Sequence, residues 1–341
     1  MTSEISLQAH DALPASWIER LSICSTMSKL PLVALTHTIP PTLVARVKSA
    51  PNKGVFNVNG TVVVEDEILK CDTIVFSPNS VLVLNAVSKA DVSNVVVIAK
   101  KWLFAAPDLT TTITRDPNVD ALNGAAGTQG ARGGDGPSDD TPGYQGATGG
   151  SGVVGSTKGL ARLYLIGESI AQQPGTPVVW LNQHIRISGV SGGDGGQGGR
   201  GGDGGNGASG HSGSDSCCDC KRGPGDGGRG GNGGTGGPGA SGGTGGNGAD
   251  LVYAGLGDFI DLMLYSKVYN QGGFGGRGGR GGRGGSGGNG GPRGSNTFYC
   301  KGGASGGAGV DGAQGPSGQE GVDGGKGLAD VTPLSNLSVF Y

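Results

Sequence analysis

From Gly192 to Gly327, glycine recurs every third residue in long runs that keep their frame. One run reads Gly192-Gly193-Asp194-Gly195-Gly196-Gln197-Gly198-Gly199-Arg200 and holds to Gly213. Others span 227–248, 272–291 and 303–327, and the third carries Phe274, Arg277, Arg280, Arg283, Ser286 and Asn289 between its glycines. A repeat of three is neither the α-helical nor the β period. It is that of a polyproline-II-type helix, at about 3.1 Å rise per residue. A flexible linker has no reason to keep frame, and collagen needs one glycine per triplet with abundant proline. The frame therefore predicts a packed bundle of polyglycine II helices. Bare faces allow close approach, and main-chain N–H and C=O groups bond between neighbours.

The frame comes in hairpins. Glycine recurs from 124 to 136, breaks at Pro137-Ser138-Asp139-Asp140-Thr141-Pro142, and restarts from 143 to 155. The second hairpin spans 192–248 around the tip Ser214 to Arg222, and the third spans 272–327 around Ser295 to Cys300. Three hairpins give six arms, the longer ones about 60 Å if straight.

The rest reads as short β-rich runs. These are Val55–Val58, Thr61–Val64, Thr73–Phe76, Ser80–Leu84 and Asn94–Ile98, then Ala161–Ile166, Val178–Leu181, His184–Ile187, Leu251–Tyr253, Phe259–Tyr265 and Leu337–Tyr341. Turn residues such as Asn59-Gly60 and Ser77-Pro78-Asn79 separate them, a pattern of solenoids or sandwiches. Short helices are predicted at Ala15–Cys24 and Thr42–Ser49. The expected fold class is mainly β and irregular: a short-strand base, solenoid-like or sandwich, carrying a six-arm polyglycine II bundle. The expected domains are 1–50 as an attachment or cap segment that would bind an attachment partner, 51–118 as the β-rich base, and 119–341 as hairpins interleaved with strands.

Bulk properties exclude several classes. A net charge of −2 gives no drive toward nucleic acid. No apolar run reaches a membrane span, and Met1-Thr2-Ser3-Glu4 opens no secretory signal. The expected place of action is extracellular or in a virion. Gly-x-Ser-x-Gly around Ser191, Ser241, Ser286 and Ser305 is a by-product of glycine density. His10, His37, His184 and His211 show no metal spacing, no cofactor motif is present, and no catalytic residue is predicted.

The tips are the expected binding sites, because arms need glycine and tips tolerate variety. The candidates are Asp139, Asp140, Lys221, Arg222, Asn296, Phe298 and Tyr299. Phe298 and Tyr299 either anchor a ligand or pack on the neighbouring tip. Arg277, Arg280 and Arg283 form a basic stripe that either receives an acidic glycan or phosphate or pairs with Asp194, Asp203 or Asp226. Cys217, Cys218, Cys220 and Cys300 are disulfide candidates. A four-thiolate zinc site is the alternative, but Cys-Cys-x-Cys lacks paired Cys-x₂-Cys spacing.

On the Gly-Gly-X frame of 124–155 and 192–327, the chain resembles two groups of polyglycine II bundle proteins. The first is the tip adhesins of T-even-like phage tail fibres; that resemblance implies a rigid pedestal with host-binding loops at its far end. The second is the glycine-rich antifreeze protein of springtails, where one face binds ice. The X positions here carry Asp, Gln, Arg and Asn, and Thr235, Ser241 and Thr244 are few for an ice-binding face. The expectation is a non-enzymatic receptor-binding module for a cell-surface glycan or protein. A self-assembling fibre or matrix protein and an ice-binding protein are the alternatives.

Overall fold

Apolar, β-branched runs of the chain stack in register as parallel strands. The computed structural model describes residues 39–105, 110–138, 141–172 and 182–341. Six strands form one sheet in the order β1 (Val55–Val58), β3 (Ile68–Phe76), β5 (Asn94–Phe104), β7 (Arg162–Gln172), β11 (Leu251–Gly255) and β13 (Ala329–Pro333). Five form the second, in the order β12 (Lys267–Tyr269), β8 (Gln183–Arg186), β6 (Thr111–Arg115), β4 (Val81–Leu84) and β2 (Thr61–Val64). The chain alternates between the two, so each coil gives one strand to each sheet and lies beside the coil before it.

The register places like on like. Leu69, Val97, Leu165, Tyr253 and Val331 form one buried row across the larger sheet. Leu82, Ile113 and Ile185 form the facing row of the smaller one. Phe76 and Phe104 stack at 5.0 Å. The larger sheet is also covered on its outer side. Helix α1 (Pro41–Ser49) brings Leu43 and Val47, and the C-terminal segment brings Leu337 and Phe340, onto Val96, Ile98, Tyr164, Ile166, Val252 and Ala254. Burial on both faces explains why these strands read as unbroken apolar runs instead of alternating ones.

Several expectations are corrected. Phe259–Tyr265 is not a strand; α2 (Gly257–Met263) occupies it, with Phe259, Ile260 and Met263 on its buried side. That spacing, one residue and then three, is a helical stripe. The closing strand is β13, not Leu337–Tyr341, which turns back over the larger sheet. The predicted strand Val178–Leu181, the helix Ala15–Cys24 and the tip pair Asp139 and Asp140 lie outside the described residues.

The larger correction concerns what organises the chain. Among the described residues the fold is two parallel sheets with two short α-helices, not a six-arm polyglycine II bundle on a β base, and no α-helix lies in the glycine tracts. Nor is a polyglycine II pedestal present. The physical reason lies in where side chains are buried. The two hydrophobic clusters are made mainly of strand, α1, α2 and C-terminal residues, with connecting residues such as Ala86, Val87 and Ile187. The glycine tracts add almost nothing to them, and are inserts held by main-chain hydrogen bonds.

Those inserts are ordered against one another. Six extended arms, here numbered one to six along the chain, bond laterally with a period of three. Arm three gives Gly198 N–H to Arg280 C=O on arm five and Gly199 N–H to Gly150 C=O on arm two, both at 2.8 Å. Odd arms run parallel to odd arms and even to even, while successive arms run antiparallel. The result is two layers of three arms.

Candidate functional site

Hydrogen-bond register fixes which side chains share a face. On the odd layer, Asn123 Oδ1 accepts Asp194 N–H at 2.8 Å, and Asp194 Oδ1 accepts Arg277 N–H at 2.8 Å. Further along the arms, Asp135 Oδ1 accepts Asn206 N–H at 2.7 Å and Asn206 Oδ1 accepts Asn289 N–H at 3.0 Å. Between these rows Asp203 Oδ1 accepts Ser286 N–H at 2.8 Å. Each Asx side chain thus satisfies the one main-chain donor per triplet that the glycine-to-arm bonds leave over.

The same register carries Arg132, Arg200, Arg277, Arg280 and Arg283 to that face. Arg132 pairs with Asp135 and Arg200 with Asp203, each at 2.8 Å. Arg277, Arg280 and Arg283 are exposed, and no salt bridge to them occurs among the described residues. The proposed partners of this stripe are otherwise engaged: Asp194, Asp203 and Asp226 accept main-chain N–H groups of Arg277, Ser286 and Ala304. Successive arginines lie no more than about 10 Å apart along an extended chain.

The even layer has a different face. Thr148 and Thr235 hydroxyls meet at 3.1 Å, and Thr157 and Thr244 at 2.8 Å, so arms two and four align their X positions. Asn232 Oδ1 accepts Val310 N–H at 3.0 Å and Asn247 Oδ1 accepts Gly325 N–H at 2.8 Å, which aligns arms four and six.

At the tips, β9 (Ser214–Asp215) pairs antiparallel with β10 (Cys220–Arg222). Cys220 is joined to Cys300, linking the second and third hairpins across 80 residues. Asp215 accepts from the Thr297 hydroxyl and, at 3.2 Å, from Tyr299 N–H. The Thr297 hydroxyl, followed by main-chain N–H groups of Tyr299, Phe298 and Cys300, holds the Asp215 carboxyl below the usual carboxylate range. Cys217 and Cys218 are free and exposed, with sulfurs 3.6 Å apart. Phe298 is 80% exposed and packs edge-on to Tyr299 at 4.8 Å. Lys221, Arg222 and Asn296 are exposed. The tips therefore bring the cysteines, Phe298 and Tyr299 together, while the basic stripe belongs to the arms. The facing rows escaped the sequence reading, although Asx residues recurring in frame were their signal.

Where arms meet sheets, a cleft of about 630 Å³ is lined by Asn94, Thr157, Arg162, Asn247 and Asp250 among others. The Arg162–Asp250 ion pair at 2.8 Å lies in its wall. Among the described residues no group of three His, Cys, Asp or Glu could hold a metal, and no helix is long and apolar enough to cross a membrane.

No protein family matches the sequence, and no curated protein does. One solved structure is similar in sequence: the nine polyproline type II helical bundle springtail antifreeze protein from Granisotoma rainieri. It is 24% identical over 53% of this chain and 97% of that one, with a TM-score of 0.09. So low a score carries no argument about fold or function. It does not support the expected kinship with polyglycine II bundle proteins, and gives the ice-binding alternative no footing. The tail-fibre adhesin reading needed a pedestal that is not there, and the fibre or matrix alternative rested on the same bundle.

Proposed function

We propose that this protein is a non-catalytic binding protein for an acidic polysaccharide, held along the arginine-bearing face of the odd glycine layer. The observation that carries it is the open rank of Arg277, Arg280 and Arg283 beside Arg200. Guanidinium groups recognise carboxylate and sulfate in a planar, two-pronged way. A regular row of them suits a polymer with regularly spaced anions better than a single small ligand. Duplex nucleic acid would call for a broader basic surface, and the chain is net acidic at −2.

The carboxylates of this face support the non-catalytic reading. Hydrolysis of a glycosidic bond takes two carboxyl groups about 5–9.5 Å apart. Asp194 and Asp203 are three triplets apart on an extended arm and are bound to main-chain N–H groups; Asp135, on the neighbouring arm, accepts Asn206 N–H and is paired with Arg132. They serve the framework.

The test is retention of the purified chain on immobilised heparin and on a neutral glucan. Retention on heparin that falls with salt, and falls further in Arg280→Ala/Arg283→Ala, is the expected result. Equal retention of wild type and double variant, or equal affinity for the neutral glucan, would sink the binding claim. New reducing ends after incubation with polysaccharide would sink the non-catalytic one.

A further inference from the structure

The two outer faces of the glycine layers are not alike. Across the even layer, five successive rows carry no charge. Arm two contributes Gln145, Thr148, Ser151, Val154 and Thr157. Arm four contributes Asn232, Thr235, Pro238, Ser241 and Thr244, and arm six Val310, Ala313, Pro316, Gln319 and Val322. Val154, Val310 and Val322 are 60%, 60% and 72% exposed on this one face. The acidic residues of arm six hold the other triplet position: Asp311 and Asp323 accept Gly287 and Gly275 N–H groups of arm five, and Glu320 falls in the same frame as they do. Charge returns at the two ends of the block, with Arg229 toward the tips and Asp250 toward the sheets. A neutral centre inside a charged rim is the anatomy of a protein interface.

We infer that this face is the contact surface between two copies of the chain. Five rows of an extended chain at about 10 Å per triplet, by three arms at about 5 Å, make a surface on the order of 750 Å². A standard stable interface takes about 800 Å² from each partner. The face is also self-complementary. A two-fold axis in the plane of the contact, along the arms or across them, brings only uncharged side chains together. Rows on both copies share one spacing, so ridges of one fall into grooves of the other. The arginine faces then point outward on both sides, and the pair is bivalent.

Sedimentation velocity of the full chain over a hundredfold concentration range tests this, with two variants beside it. Val310→Glu/Val322→Glu places carboxylates at exposed positions where the arm has room. At a concentration where both are monomeric it keeps the wild-type melting temperature, and its dimer dissociation constant rises about a hundredfold or more, as expected for burying unpaired charge. Arg280→Glu/Arg283→Glu, on the opposite face, dimerises like wild type. A wild type that sediments as monomer throughout, a glutamate variant that still pairs, or a dimer lost only in the arginine variant would each overturn the inference. None of these outcomes bears on heparin retention, which a monomer can show.

Discussion

Replacing Gly282 with alanine isolates the main-chain contact between two arms of the odd layer. A Cβ there would lie 1.9 Å from the Gly199 carbonyl oxygen and 2.7 Å from that of Gly198. Ordinary contact needs about 3.4 Å, so arms three and five must part by roughly 1.5 Å. Gly198 N–H to Arg280 C=O and Gly201 N–H to Arg283 C=O, both 2.8 Å, flank the clash and cannot both survive that shift. Two buried groups left unpaired cost about 1–3 kcal/mol each, and overpacking adds about 1–3 kcal/mol. The expected loss is about 3–9 kcal/mol, comparable to the whole stability of a domain. Gly307 is the control: a Cβ there meets nothing within 4 Å, and its φ is not positive. Gly307→Ala should be neutral or stabilising by about 0.4–1 kcal/mol, through the unfolded chain. Urea unfolding followed by amide exchange of the arm glycines measures both. A Gly282→Ala variant within about 0.5 kcal/mol of wild type would show that the arms do not touch through bare main chain.

Two further outcomes follow from the tip and the core. The Asp215 carboxyl is more acidic folded than unfolded, so its contribution is full above the ordinary carboxylate pKa of about 3.9 and fades as pH falls through its lower folded value. Protection of the Tyr299 N–H, taken against the intrinsic exchange rate at each pH, should fall in acid, and Asp215→Asn should lack that protection at every pH; a wild type whose protection is insensitive to acid would contradict the contact. Burial, and then Asp72, push the Cys71 thiol up to about 12. Iodoacetamide at about pH 8 should therefore alkylate Cys217 and Cys218 while sparing Cys71 until unfolding, as peptide mapping would read; early labelling of Cys71 would place it outside the core.

The strands were legible where Val, Ile and Leu run together, as at Val81–Leu84, Asn94–Phe104 and Leu251–Gly255. Thr111–Arg115 was not, because its threonines and arginine look like a loop until Ile113 is seen between Leu82 and Ile185. Phe259–Tyr265 misled because a short apolar run fits strand and helix alike. The glycine frame was plain to read, but its weight was misjudged. A residue without a side chain can fill the count and still bury little, so the strands set the fold. The stripe Arg277, Arg280 and Arg283 was legible too, but the face it belongs to was not. Its rows join residues 71, 78 or 83 positions apart, and nothing local marks which triplet faces which.

Those fixed offsets bind the arms to a common ruler. Adding one or two residues inside arm three would turn each later Asx away from its partner on arm five and set side chains where bare main chain must pass. Adding three would keep the frame but slide everything beyond it by a full step against four neighbours. Hairpins built this way can lengthen only by whole triplets and only in concert, whereas the turns at their ends, outside the Cys220–Cys300 link and the Asp215 contacts, are free to change letter by letter.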